Sequence, residues 1–93
     1  NLIFTNLNDK TASAYLTLNF ARLNYLTGHV EEARITYLKT LSYFKKSLNY
    51  RGMAYTYLSL AELDFSRNNY EDSQKYYQNL TTLLLVTQCV VHC

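Results

Sequence analysis

The chain has 93 residues, and its nine Lys and Arg against seven Asp and Glu give a formal net charge of +2 with histidine neutral. That length allows one small domain or a part of a larger one, and so low a charge does not indicate a nucleic-acid or membrane partner. Apolar residues form 48% of the chain, Pro is absent and Gly occurs twice, which excludes a disordered composition, a turn-rich all-β fold and a Gly-rich phosphate loop.

The chain repeats itself without a gap at an interval of 40 residues. Between residues 14–53 and 54–93, seven residues recur unchanged at that interval, and in the first copy they are Ala14, Tyr15, Leu18, Ala21, Leu23, Glu31 and Tyr37. A fixed period of about 20 to 50 residues is the signature of a stacked repeat array. In chain order, the spacing predicts the end of a preceding repeat or a connector over 1–13, a first repeat over 14–53 and a second over 54–93.

The first repeat is predicted to contain two helices. In the first helix, Leu16, Phe20 and Leu23 lie at helical spacing and form one apolar stripe. Gly28 can adopt the left-handed conformation that ends a helix. The second helix is predicted over about 30–47, because acidic residues lie in its first turn and lysines in its second half, where each suits the helix dipole.

The second repeat is predicted to have the same two helices. Asn49 is a suitable N-cap for a helix over about 51–66. A further helix is predicted over about 70–87, with Asn69 and Asp72 spaced like a capping box at its start. Connectors this short require antiparallel neighbouring helices to pack on each other.

Both copies resemble the core of the tetratricopeptide repeat (TPR). The first reads FARLNYLTGHVEEA over 20–33 and is followed by Tyr37, and the second reads LAELDFSRNNYEDS over 60–73 and is followed by Tyr77. The resemblance implies an all-α superhelix of two helix-turn-helix repeats plus part of a preceding helix. The period of 40 residues is similar to that of the long TPR variant of kinesin light chains, Pins-type adaptors and bacterial regulators. HEAT repeats have a similar period and are the structural alternative.

The repeat also predicts how the helices pack. Ala21 and Ala61 are small enough for paired helices to approach closely. Four larger side chains are expected to fill the space between the helices: Phe20, Tyr37, Leu60 and Tyr77. Since two repeats leave apolar ends uncovered, we expect the chain to associate with itself.

The resemblance to TPR proteins implies a ligand-binding wall on the first helix of each repeat. Carried over, the partner-binding residues are Tyr15, Leu18, Asn19, Arg22, Tyr25, Tyr55, Leu58, Ser59, Glu62 and Phe65. The alternative is that these residues bury against a further repeat or a terminal helix. Leu18 and Leu58 stand where chaperone-binding TPRs have a clamp residue, so we do not expect a receptor for chaperone tails.

No catalytic motif occurs, so an enzyme is not expected. Cys89, His92 and Cys93 supply three residues of ligand type where a zinc site needs four, so neither a metal nor a cofactor is expected. The basic residues between 34 and 51 are interpreted as a solvated face rather than a nucleic-acid site. The two cysteines and the lack of a long apolar run favour a reducing, cytoplasmic location.

The sequence therefore predicts a non-catalytic scaffold that binds a protein or peptide, as the regulatory or sensory segment of a larger signalling or transcription-regulating protein. Because the chain begins at Asn1 rather than Met, we expect it to be a fragment. Two alternatives stay open. One is a purely structural stacking segment of a multi-subunit assembly, and the other is a non-catalytic part of a larger enzyme.

Overall fold

A computed structural model describes the backbone over residues 2–92 and the side chains over residues 10–86. The described chain forms four helices, which are α1 (Leu2–Leu26), α2 (Val30–Lys46), α3 (Tyr50–Ser66) and α4 (Tyr70–His92). No strand occurs in this backbone. Each helix packs on the next one along the chain, so that α3 lies between α2 and α4. The predicted all-α class and the arrangement in helical hairpins are confirmed.

The three connectors are built as the same turn. Gly28, Leu48 and Asn68 adopt left-handed φ angles of 96°, 55° and 65°. In the first connector the N–H of His29 donates to the carbonyl of Asn24 at 2.7 Å, and the corresponding bonds of the next two connectors measure 2.9 and 2.8 Å. This pattern is the Schellman motif, which satisfies carbonyls at a helix end. The predicted left-handed Gly28 is thus confirmed, and Leu48 and Asn68 adopt the same conformation without being glycine.

The start of α3 is stabilised by the N-cap Asn49 and by the close packing of Gly52 against Phe44 of α2. The side-chain oxygen of Asn49 accepts a hydrogen bond of 3.0 Å from the N–H of Gly52, which confirms the predicted N-cap. The Asn49 amide also donates to the hydroxyl of Tyr15 on α1, at 3.3 Å. A Cβ at Gly52 would lie 2.5 Å from ring atoms of Phe44. The absence of a side chain at Gly52 therefore lets α2 and α3 pack at this point.

The core lies between successive helices. Its buried apolar members are Ala14, Leu18, Ala21, Ala33, Tyr37, Leu41, Phe44, Tyr57, Leu60, Leu63 and Leu83. Ala21 and Ala61 are both fully buried, as the close approach of paired helices predicts. The Ser73 hydroxyl donates to the carbonyl of Ala61 at 2.8 Å, which joins α4 to α3 at this contact. Tyr37 and Leu60 fill interhelical space as predicted.

The predicted packing is wrong at both ends of the chain. Leu16, Phe20 and Leu23 are exposed by 56, 61 and 56%, so this stripe is not part of the core. On α1 the buried face is formed instead by Ala14, Leu18 and Ala21. Tyr77 is also 39% exposed. The physical reason is position, because α1 and α4 each have one neighbour along the chain whereas α3 has two.

The first helix extends into residues 1–13, for which the repeat spacing predicts the end of a preceding repeat or a connector. α1 runs unbroken from Leu2 to Leu26. Neither Pro nor Gly interrupts this stretch, so nothing local forces the helix to end. The turn inside each hairpin follows the repeat, since α1 and α3 end at residues 26 and 66 and α2 and α4 begin at residues 30 and 70.

Candidate functional site

Four of the predicted binding residues meet around Tyr37, a side chain of α2 that is 2% exposed. Burial raises the pKa of the Tyr37 phenol above its ordinary value, while the neighbouring Ser59 side chain and the positive charge of Arg22 act in the opposite direction. Tyr55 and Glu62 are also close enough to act on this pKa. Arg22 of α1 and three residues of α3 therefore lie in the neighbourhood of one buried ring.

The accessible part of this region is called the Tyr37 surface and comprises Asn19, Arg22, Tyr55, Leu58 and Glu62. Tyr55 and Leu58 are 38 and 39% exposed, and the three polar side chains are exposed as well. Asn19 lies one helical turn before Arg22, and Leu58 lies one turn before Glu62, so both extend the same face. The surface thus presents an amide, a cation, an anion, an aromatic ring and an apolar side chain.

Two predicted binding residues are corrected by their burial. Leu18 is 1% and Ser59 is 4% exposed, so neither side chain can contact a partner. Leu18 belongs to the packed face of α1, where an apolar side chain is covered by α2. Ser59 lies beneath the Tyr37 surface, and its hydroxyl donates to the carbonyl of Tyr55 at 3.0 Å. Both residues support the surface from below rather than forming it.

Three aromatic residues of the predicted set have structural contacts instead. The Tyr15 ring lies 5.2 Å from the Phe44 ring between centroids, and Tyr25 packs against the core. Phe65 is 56% exposed, and its ring meets Tyr70 edge to face with centroids 5.2 Å apart. Such aromatic pairs stabilise packing beyond the area that they bury. Tyr15 and Tyr25 therefore stabilise the fold, and Phe65 lies at the turn before α4.

A buried ion pair was missed by sequence reasoning. Asp64 of α3 is fully buried, and its carboxylate lies 2.5 Å from a guanidinium nitrogen of Arg34 on α2, whose side chain is 19% exposed. The hydrogen bond with Asp64 raises the pKa of Arg34. Burial, followed by the charge of Asp64, raises the pKa of Tyr76 on α4. The pair thus lies where α2, α3 and α4 meet, and the signal for it was an acid within the apolar segment 60–65.

This ion pair corrects the interpretation of Arg34 alone among the basic residues between 34 and 51, since the other four are exposed. Arg34 is directed at Asp64 and does not belong to a solvated basic face. Lys45 lies with its ammonium 6.0 Å from the centroid of the Tyr57 ring, which is within reach of a cation–π interaction. Lys39 lines a separate groove between α1 and α2. The bases are thus distributed over different environments rather than forming one continuous patch.

A groove between α1 and α2 is another concave feature that the sequence did not indicate. It has a volume of about 490 Å³ and is lined by Lys10, Ser13, Ala14, Thr17, Lys39, Thr40 and Tyr43. Two lysines and several hydroxyls offer no nucleophile paired with a base. The hydroxyl of Thr40 is already used, since it donates to the carbonyl of Thr36 at 2.8 Å. The groove is therefore a concave surface whose lining residues do not form a nucleophile–base pair.

Within the residues that the structure describes, no group of three or more His, Cys, Asp and Glu could hold a metal ion, and no helix is long and apolar enough to cross a membrane. Cys89, His92 and Cys93 lie outside the described side chains. Comparison with protein-family models, curated proteins and solved structures gives no match for this chain.

Proposed function

We propose that this chain is a non-catalytic, TPR-like scaffold that binds a protein or an extended peptide across the Tyr37 surface, as the regulatory or sensory segment of a larger signalling or transcription-regulating protein. One observation carries the proposal. Side chains from α1 and α3, which are in contact although they are not consecutive helices, lie close enough to Tyr37 of α2 to act on its pKa and are exposed to solvent. A surface built from two elements can hold a ligand that crosses both helices.

The chemistry of the surface suits a polypeptide ligand. The side-chain amide of Asn19 can both donate to and accept from a peptide backbone. Arg22 and Glu62 supply charges of opposite sign, so that a ligand carrying both signs is favoured over one that is uniformly charged. Tyr and Arg are the residue types most enriched at the energetic centres of interfaces. Beneath them Tyr37 and Ser59 are buried, which holds the floor of the surface rigid.

The test selects ligands first and then maps their binding site. Peptides selected from a random display library on the intact chain are measured for affinity by fluorescence anisotropy. Arg22→Ala and Tyr55→Ala are each expected to weaken binding by about tenfold or more, as truncation of a central interface residue does. Gln78→Ala, at an exposed position of α4, is the matched control and should change nothing. Equal binding to all three variants, with unchanged helicity, would contradict the proposal.

The alternative is a structural stacking segment of a larger assembly, and the exposed apolar faces of α1 and α4 favour it. On that alternative, no selected peptide should depend on Arg22 or Tyr55. Association through the outer helices should instead be unaffected by both substitutions. The same two variants therefore separate recognition on the Tyr37 surface from stacking at the ends.

A further inference from the structure

The interface between α2 and α3 shows how one helical hairpin docks on another in this chain. The Phe44 ring lies against Gly52, and Arg34 pairs with Asp64. Between these two contacts the same face of α3 is buried at Thr56, Leu60 and Leu63. The interface thus consists of one face of α2 and one face of α3, each defined by position in the repeat.

Both faces recur at the ends of the chain, displaced by the repeat interval of 40 residues. The counterpart of the α3 face is here called the α1 end face, and it comprises Ala12, Leu16, Phe20 and Leu23, all exposed. The counterpart of the α2 face is called the α4 end face, and it comprises Gln74, Tyr77, Thr81, Leu84 and Leu85, also exposed. The chain therefore presents one half of its own internal interface at each end.

The paired positions have changed in a mutually compatible way. Where the internal interface has Arg34 opposite Asp64, the corresponding end positions are Gln74 and Asn24. A buried charge requires its partner, and here both members of the pair are neutral amides.

The steric pair shows the same relation. Where Phe44 lies against Gly52, the corresponding residues are Leu84 and Ala12. The smaller side chain on one end face thus leaves room for the added methyl group on the other, and core contacts tolerate volume-conserving exchanges best. The two end faces, as defined, carry no charged residue, so they can be brought together without burying an unpaired charge.

We infer that copies of this chain stack head to tail, with the α4 end face of one copy seated on the α1 end face of the next in the arrangement of α2 on α3. The contact joins two different faces, so each added copy leaves one face of each kind exposed and the assembly stays open-ended. This inference is independent of the proposed peptide binding, because the residues of the Tyr37 surface belong to neither end face.

Sedimentation velocity over a wide range of concentrations tests the inference. The wild-type mass should rise steadily with concentration rather than level off at a dimer. Phe20→Glu and Leu85→Glu each place a charge on one end face, at side chains that are 61 and 63% exposed, so the fold should persist and each variant alone should stay monomeric. Mixed together, the two variants should form a one-to-one dimer and nothing larger, because each supplies the face that the other lacks.

Ile35→Glu is the matched control, since Ile35 is 52% exposed and lies on neither end face, and it should associate as the wild type does. Circular dichroism of every variant verifies that helicity is retained. A wild-type chain that stays monomeric at all concentrations overturns the inference. So does a wild-type dimer that does not grow, or a mixture of the two variants that stays monomeric, since either result indicates a symmetric contact or none.

Discussion

The Arg34–Asp64 ion pair stabilises the contact between the hairpin of α1 and α2 and the hairpin of α3 and α4. Arg34→Gln leaves the carboxylate of Asp64, which is fully buried, without its cation. Removing one partner of a buried pair costs about 3–5 kcal/mol, and we expect about 3 kcal/mol because the Arg34 side chain keeps 19% exposure. Total stability of a domain is about 5–15 kcal/mol, so the Tm should fall by more than about 10 °C.

The assay is urea unfolding followed by far-UV circular dichroism, with a cycle of two single variants and one double variant. Asp64→Asn is expected to cost less, about 1–2 kcal/mol, because the guanidinium of Arg34 can reach solvent. The double variant Arg34→Gln/Asp64→Asn introduces the amides that occupy the corresponding repeat positions, Gln74 and Asn24. It should be more stable than Arg34→Gln alone, since no buried charge is left unpaired.

Two results would refute this reasoning. One is a cost below about 1 kcal/mol for Arg34→Gln, which is typical of a solvent-exposed pair. The other is strict additivity in the cycle, which would indicate that Arg34 and Asp64 act independently.

Three further sets of variants test the turns, the packing and the response to pH. Gly28→Ala should cost about 1 kcal/mol and Asn68→Gly should add up to about 1 kcal/mol, because both positions have a left-handed φ; thermal unfolding measures both. Gly52→Ala should cost about 1–3 kcal/mol by forcing a Cβ against Phe44, and an unchanged Tm would contradict that contact. Burial raises the pKa of Tyr37 above the unfolded value of about 10, so the unfolded chain loses this proton first and stability falls as pH rises beyond it. Tyr37→Phe should reduce the decrease of Tm with rising pH in the alkaline range. An unchanged decrease would contradict a raised pKa of Tyr37 in the folded chain.

The turns and helix bounds could be predicted because their signals are local. Gly28 indicates a left-handed helix end, and Asn49 lies three residues before the N–H that it caps. Both features act over one helical turn, and their physical basis does not depend on distant parts of the chain. The repeat interval then predicts the features of the second copy from those of the first. These include the turn at Asn68, where no glycine indicates it.

The covered face of each helix could not be predicted in the same way. Leu16 and Leu60 both lie on apolar stripes, yet Leu16 is 56% exposed and Leu60 is fully buried. Periodicity shows that a helix has an apolar face, whereas burial depends on which helix lies beside it. For the binding set, the resemblance to TPR proteins chose Arg22 and Tyr55, which both lie near Tyr37. It also chose Leu18, which is buried, because a resemblance gives a position in the sequence and not the burial of the side chain.

The recurrence of one turn at Gly28, Leu48 and Asn68 has a consequence for how such a chain can change in length. A duplicate of residues 30–69 inserted before Tyr70 would begin after the same kind of turn that it ends on, so both junctions keep their geometry. The duplicate would contain its own copy of the Arg34–Asp64 ion pair, and the existing turns would serve as its connectors. Growth by copying whole units is therefore easier for this architecture than growth by adding single residues.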